Sequence, residues 1–147
     1  MPQNVCEDIY IAGSYARKEE FRRYAVELEK FGHRVVSTCL NEPHSVEEFG
    51  TKIIPSPSVS RAMAVRDLED VARADVVLWF SDDEFTRGGK HVEMGAALAL
   101  GTCVDIIGHA ETIFAHHHLV QILPSFQAWM DIYAPSGITV SLVDHPA

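Results

Sequence analysis

The sequence predicts an α/β protein, a three-layer sandwich around a five-stranded, mainly parallel sheet. Short apolar runs, typical of buried strands, alternate with longer stretches whose apolar residues recur at helical spacing. Strand, helix and strand in succession imply right-handed crossovers and a parallel sheet covered on both faces. With 147 residues and 47% apolar content, the chain is expected to form a single domain over residues 1–147.

The first half of the chain predicts two strands, one helix and a long connection. Val5–Ala12 is the first strand, and Arg17–Phe31 follows as an amphipathic helix that ends at Gly32. Arg34–Leu40 is rich in β-branched residues, which predicts the second strand. Leu40–Ser58 contains three prolines and is long for a connection in a compact domain, so we expect it to be a functional lid.

The second half continues the alternation. Its predicted elements are the helix Ser60–Ala74, the strand Asp75–Phe80, the helix Gly88–Leu100, the strand Val104–Ile107, a short turn or loop over Glu111–His118, the strand Leu119–Leu123, the helix Ser125–Tyr133 and an extra strand Ile138–Val143.

Charge and composition restrict the partners of the protein. A formal net charge of −9 argues against a broad basic face for a nucleic acid polymer or an anionic membrane. No apolar stretch is long enough to span a bilayer, and the first residues do not resemble a signal peptide, so a cytoplasmic location is expected. Cys6, Cys39 and Cys103 are odd in number and widely spaced, which predicts buried free thiols.

The most informative stretch is Thr86–Gly95, between the strand ending at Phe80 and the next helix. Gly88 and Gly89 allow the backbone to approach a ligand closely, and the free N–H groups of the helix start favour an anion. Glu93 follows about one turn into the helix and suits attack on an electron-poor carbon such as a sugar C1′. The alternative is that Glu93 only complements the helix dipole.

A second glycine turn follows the first strand at Gly13 and Ser14. Arg17 lies in the first turn of the helix, where the dipole disfavours a cation. A phosphate bound by the backbone N–H groups, Ser14 and Arg17 would explain this arrangement, although a solvated helix end explains it almost as well.

Asp67 lies at the border of the apolar face of the Ser60–Ala74 helix, whereas Glu69 and Asp70 are predicted to be more solvated. A partly desolvated Asp67 could hold a proton and pass it to a leaving group. The alternative is an ion pair with Arg66 or Arg87.

Arg87, Lys90 and His91 surround the glycines, and these basic groups would either bind a phosphate or lower the pKa of Glu93. The His116–His118 tract has no partner at metal-ligand spacing and is predicted to be a polar or interface loop. We therefore expect neither a metal nor a cofactor.

Three segments taken together resemble the nucleoside 2-deoxyribosyltransferase-like superfamily, which includes the deoxynucleoside 5′-monophosphate N-glycosidases. They are Ile9–Ser14, then Arg66–Leu68 with Ala74–Val77, then Gly88–Gly101. The resemblance runs from about Ile9 to Ile107 and more loosely to Trp129.

This resemblance implies a flavodoxin-like (Rossmann-like) fold and a set of roles. Glu93 would be the nucleophile at C1′ of a 2-deoxyribose, positioned by Tyr10, and Asp67 would protonate the departing base. The turn at Gly13 and Ser14 and the turn before Glu93 would hold a 5′-phosphate. The resemblance also implies a homodimer or larger homo-oligomer, often with a neighbouring chain completing each pocket.

One departure from the family pattern favours a nucleotide substrate. The nucleoside-transferring members usually carry an acidic residue several positions before the nucleophile, where this chain has Arg87. An arginine there suits a phosphate better than a neutral 5′-hydroxyl. The first hypothesis is therefore hydrolysis of a (deoxy)nucleoside 5′-monophosphate. The alternatives are base exchange by a deoxyribosyltransferase and a nucleotide-binding sensor without turnover.

Overall fold

The computed structural model describes residues 6–41, 55–84 and 88–133 of the chain. Five strands lie in these ranges: β1 (Asp8–Ala12), β2 (Arg34–Val35), β3 (Val76–Phe80), β4 (Cys103–Ile107) and β5 (Val120–Leu123). The helices are α1 (Lys18–Lys30), α2 (Pro57–Arg73), α3 (Gly89–Ala99) and α4 (Phe126–Tyr133), with 3₁₀ turns at Tyr15–Arg17, Thr38–Asn41 and Ile113–His116.

The strands form one sheet in the order β2-β1-β3-β4-β5, and each neighbouring pair is parallel. The prediction of an α/β fold with a five-stranded, mainly parallel sheet is confirmed. Strand β2 lies on one side of β1, and the chain then crosses to place β3 on the other side. The carboxyl ends of β1 and β3 therefore border the crevice where doubly wound sheets bind ligands.

Alternation along the strands divides the core into two layers. Ile9 and Ile11 of β1 pack with the apolar residues of α1 and α4. Tyr10 and Ala12 point to the opposite face, where they pack with residues of α2 and α3. The two-residue period thus directs Tyr10 towards the helix that carries Glu93.

Strand β2 is shorter than the predicted Arg34–Leu40 because side chains take over its hydrogen bonding. The Ser37 hydroxyl accepts the N–H of Ile11 at 2.6 Å. Asp70 of α2 then accepts the N–H of Thr38 at 2.9 Å, where the 3₁₀ turn begins. The backbone leaves the sheet at this point, and the second half of the predicted strand forms a turn.

Other boundaries depend on capping. Helix α2 begins at Pro57 rather than Ser60, because the Ser56 side chain caps it and a proline suits a first helical position. The three cysteines are free as predicted, but Cys6 and Cys103 are exposed rather than buried. Most of the predicted lid (residues 42–54) and the predicted strand Ile138–Val143 lie outside the described residues. In the described ranges, no helix has the length and apolar character required to span a membrane.

Candidate active site

The central contact of the site joins Tyr10 of β1 to Glu93 of α3. The Tyr10 hydroxyl donates a short hydrogen bond to Oε2 of Glu93. Tyr10 is fully buried, and Glu93 is half-buried. The sheet therefore supplies a rigid donor, and the helix presents its carboxylate at the edge of the core rather than to open water.

Burial is the main influence on the Glu93 carboxyl. It raises the pKa of Glu93 to about 8, against an ordinary value of 4.5. The Tyr10 hydrogen bond lowers this pKa, and the negative charge of Asp67 raises it. The sequence allowed Lys90 and His91 to lower the pKa of Glu93, but the pKa of Glu93 is raised. A carboxyl in this state changes its charge close to physiological pH.

Tyr10 and Cys39 share the environment of Glu93. Burial, followed by the charge of Glu93, raises the pKa of Tyr10 far above its ordinary value, so the phenol keeps its proton and acts as a donor. Burial together with the charges of Asp67 and Glu93 raises the pKa of the Cys39 thiol to about 12. Cys39 is thus a protonated thiol beside the carboxylates and is not suited to act as a nucleophile.

The negative charge of Asp67 on α2 acts on the same site, because it contributes to the raised pKa values of Glu93 and Tyr10. Its Oδ1 accepts hydrogen bonds from Nε and Nη2 of Arg66 at 3.1 and 2.9 Å. The ion pair with Arg66 is one of the alternatives left open by the sequence. The prediction for Asp70 was wrong, because Asp70 is 1% exposed and is paired with Arg73.

The turn after β1 is held closely against the core. A Cβ atom built on Gly13 would lie 2.6 Å from Cε2 of Phe21 and 3.4 Å from Cβ of Phe80, so only glycine fits without movement of the ring. Ser14 caps the 3₁₀ turn that precedes α1, where its hydroxyl accepts the N–H of Ala16 at 3.3 Å. Ser14 therefore caps this 3₁₀ turn and not α1, whose own N-cap residue is Arg17.

The second glycine turn begins α3. Gly88 has a φ of 91°, a left-handed conformation that favours glycine, and it occupies the N-cap position. A Cβ on Gly89 would meet no atom within 4 Å, so open space lies beside it. His91 stands edge-on to Trp79, with 5.2 Å between ring centroids. Arg87 lies outside the described residues.

Arg17 is engaged away from the Tyr10–Glu93 pair. Its guanidinium donates two hydrogen bonds to Glu20, at 2.8 and 2.7 Å, one to the Ser81 carbonyl at 2.8 Å and one to Asp82 at 3.2 Å. These partners explain a cation at the helix start without a bound phosphate. Its role in phosphate binding stays a prediction.

A separate cavity of about 380 Å³ opens at the carboxyl ends of β3, β4 and β5. Arg17, Tyr24, His109 and Phe126 contribute to its lining, whereas Tyr10, Asp67 and Glu93 do not. The carboxyl edge thus has a hollow on the α1 and α4 side that is distinct from the carboxylate site.

Sequence reasoning did not find the ionic cluster at the start of α3. Lys90 is 3% exposed, and its Nζ lies 2.8 Å from Asp82 and 2.5 Å from Glu111. A lysine in the first turn of a helix opposes the dipole, which was an available signal for such partners. The sequence could not identify these partners, because Asp82 and Glu111 lie on loops that follow two different strands.

No group of three or more potential metal-ligating side chains occurs within residues 6–41, 55–84 and 88–133. In the histidine tract, the rings of His117 and His118 stack at 4.3 Å, and Nδ1 of His117 accepts the N–H of Leu119.

The strand order and the two glycine turns at its carboxyl edge define a doubly wound α/β protein of flavodoxin-like order. Its fold is shared with the 2-deoxyribosyltransferase of the psychrotolerant bacterium Bacillus psychrosaccharolyticus. That likeness has a TM-score of 0.62 and 23% identity, over 86% of this chain and 90% of the other.

A second solved structure with this fold is the CMP N-glycosidase BcmB of Clostridium botulinum. Here the TM-score is 0.53 with 16% identity, over 84% of this chain and 95% of the other. No protein-family model matches the chain, and no curated protein sequence matches it. The flavodoxin-like fold implied by the resemblance is therefore confirmed at the level of structure.

Proposed function

We propose that this protein hydrolyses the N-glycosidic bond of a (deoxy)nucleoside 5′-monophosphate and releases free base and sugar phosphate. The observation that carries the proposal is the partly buried hydrogen bond from Tyr10 to Glu93, whose environment includes the negative charge of Asp67. A fold shared with a deoxyribosyltransferase and a CMP N-glycosidase supports the same class of chemistry.

The reaction needs two displacements at C1′. In the first, the ionised Glu93 carboxylate forms a bond to C1′ while the bond from C1′ to the base nitrogen breaks. The electron pair leaves with the base, and Asp67 supplies the proton that neutralises it, in the fraction of the protein that has Glu93 ionised and Asp67 protonated. In the second, water attacks C1′ and loses a proton to Asp67, and the bond between C1′ and Glu93 breaks to restore the carboxylate.

Tyr10 has an orienting role in this scheme. Its hydroxyl keeps its proton, because burial and the charge of Glu93 disfavour the phenolate. A hydrogen bond to Oε2 favours the ionised form of Glu93 and fixes the direction of the carboxylate. The other oxygen is then the one that faces C1′.

The proposal assigns the 5′-phosphate to the turn at Gly13 and Ser14 and to the start of α3. Gly13 is packed against the Phe21 ring, whereas the space beside Gly89 is open, so the backbone N–H groups at the start of α3 can approach an anion. His91 is half-exposed in the same helical turn and completes the proposed pocket. Arg17 and Arg87 stay predictions, and the proposal does not depend on either.

We also propose that the protein assembles as a homo-oligomer through the outer faces of α2 and α3. Val65 and Leu68 of α2, Val92 of α3, and Ile113 and Phe114 of the turn after β4 are all exposed. Exposed apolar side chains on neighbouring elements are typical of a contact surface. Val65→Glu is expected to shift the protein towards the monomer in analytical ultracentrifugation, and an unchanged mass would argue against this surface.

The test of the function is a panel of nucleosides and their 5′-monophosphates, scored for free base by chromatography. We expect release from at least one monophosphate and slower release from the matching nucleoside. Glu93→Gln should lower release by at least about 10³-fold, as expected for loss of a nucleophile. Comparable release by Glu93→Gln would refute the role of Glu93.

Base exchange is the second candidate, since the deoxyribosyltransferase gives the higher TM-score of the two neighbours. Incubation of one nucleotide with a different free base separates the two reactions, because transfer yields a new nucleotide and hydrolysis does not. A rise in melting temperature with ligand but no base release over long incubation would instead indicate a sensor.

A further inference from the structure

Lys90 is a buried lysine that the proposed reaction does not use. Its Nζ contacts three acceptors: the Phe80 carbonyl at 3.2 Å, Asp82 at 2.8 Å and Glu111 at 2.5 Å. It also lies 4.3 Å from the centroid of the Trp79 ring. These partners come from the end of β3 and from the loops that follow β3 and β4.

The backbone of Lys90 is held as well. The indole N–H of Trp79 donates to the Lys90 carbonyl at 2.8 Å. The carbonyl and the ammonium of one residue are therefore both attached to the last two residues of β3, Trp79 and Phe80. This double attachment fixes where α3 starts relative to the sheet.

The attachment extends to the other side of the crevice through Asp82. One oxygen of Asp82 contacts Lys90, and the other accepts from Arg17, which also donates to the Ser81 carbonyl. Lys90 and Arg17 thus satisfy the carbonyls of Phe80 and Ser81 at the point where the chain leaves the sheet. Alternating charges connect the start of α3 to the turn before α1.

A cluster in which a buried lysine meets two partly buried carboxylates is poorly explained by stability. Desolvation of the ions is costly, an apolar side chain could pack in the same volume, and the helix dipole disfavours a cation in this turn. A documented use of buried ionic groups is to fix the register of elements. The element fixed here is the first turn of the helix that carries Glu93.

We propose that Lys90 is a positioning residue for the reaction: by attaching the first turn of α3 to the end of β3, it holds the Glu93 carboxylate against the Tyr10 hydroxyl. Glu93 follows Lys90 by three residues, about 4.5 Å along the helix axis. Tyr10 is fixed in β1, which neighbours β3 in the sheet. Any shift of the turn therefore changes the geometry between Tyr10 and Glu93 directly.

The catalytic consequence rests on the proposed function, so the test has one arm with substrate and one without. The main variant combines Lys90→Met, Asp82→Asn and Glu111→Gln, which removes the three charges together and leaves no buried ion unpaired. A matched control is Asp105→Asn, because Asp105 is also a buried charge and is bonded to Trp129 and Gln121. Glu111→Gln alone is a milder variant that keeps Lys90 bonded to Asp82 and Phe80.

With substrate, a displacement of the turn by about 1 Å is expected to lower kcat by about 10²-fold. The same triple change in a Tyr10→Phe background should cost much less, because the contact through which Lys90 acts is already gone. Glu111→Gln should lower kcat a few-fold, and Asp105→Asn should leave kcat unchanged. An unchanged kcat in the triple variant, or an equal loss with and without Tyr10→Phe, would overturn the proposal.

Without substrate, the Glu93 carboxyl is titrated by NMR with carboxyl-labelled glutamate. In the triple variant, the pH midpoint of the Glu93 titration should rise, because the hydrogen bond from Tyr10, which lowers the pKa of Glu93, is weakened. Asp105→Asn should not move it. A wild-type protein that releases no base would refute the proposed function, whereas an unmoved Glu93 midpoint in the triple variant would refute the positioning role.

Discussion

Replacement of Tyr10 by Phe removes a single oxygen atom and so tests the hydrogen bond between Tyr10 and Glu93. The aromatic ring is fully buried and keeps its packing, while the hydroxyl that donates to Glu93 is removed. Hydrogen bonds to charged groups contribute about 1.5–3 kcal/mol, and one pKa unit corresponds to about 1.4 kcal/mol. The pKa of Glu93 should therefore rise by roughly one to two units above its value of about 8.

Activity at pH 7 is expected to fall, because the proposed role of Glu93 as nucleophile requires its ionised form. At pH 7, a pKa of about 8 leaves roughly a tenth of Glu93 ionised, and a rise of one to two units leaves about 1% to 0.1%. We expect kcat/KM at pH 7 to fall by about 10- to 100-fold for this reason alone. The pH midpoint of kcat/KM should move upwards together with the pKa of Glu93.

The assay is kcat/KM for base release between pH 5 and 10, since this parameter reports the pKa values of the free enzyme. Tyr24→Phe is the matched control, because the Tyr24 hydroxyl also donates to a carboxylate, Glu20, at 2.7 Å. For Tyr24→Phe, the pH midpoint of kcat/KM should equal that of the wild type. A midpoint for Tyr10→Phe that stays in place, or moves to lower pH, would refute the reasoning.

Three further predictions concern Glu93, Asp67 and Gly13. The raised pKa of Glu93 contributes stability that is full below pH 4.5 and lost as pH rises to about 8, so wild type should lose up to about 1.4 kcal/mol per pH unit relative to Glu93→Gln. Parallel melting-temperature curves for the two proteins over this range would contradict this. Asp67→Asn should slow base release by about 10²–10⁴-fold, least for good leaving bases, and an equal loss for all bases would contradict the acid role. Gly13→Ala should cost about 1–3 kcal/mol in urea denaturation, because the new Cβ would meet the Phe21 ring, and an unchanged midpoint would show that the ring moves freely.

Local patterns were sufficient for much of the fold. Helical spacing identified α1 and α3, and the alternation of strand and helix predicted a parallel sheet. The two-residue period of β1 also decided that Tyr10 and Ile9 face opposite layers. These features depend on residues a few positions apart, so the sequence contains the required information.

Side-chain burial on α2 could not be read in this way. Asp67 and Asp70 are three residues apart, and the spacing favoured the wrong one as the more buried. Asp70 is buried because the turn at Thr38 packs on it from a segment about thirty residues away. The shortened β2 has the same origin, since Ser37 replaces a strand partner of Ile11.

The sequence by itself determined which residues are candidates for the chemistry: a glutamate one turn into a glycine-capped helix, an aspartate on the preceding helix and, through the family resemblance, a tyrosine in the first strand. The tertiary structure decided that Tyr10 donates to Glu93, and that Lys90 joins two carboxylates instead of facing a ligand. Periodicity is a property of adjacent residues, whereas these contacts arise from packing between segments that are distant along the chain. Burial, which raises the pKa of Glu93, exists only once those segments have assembled.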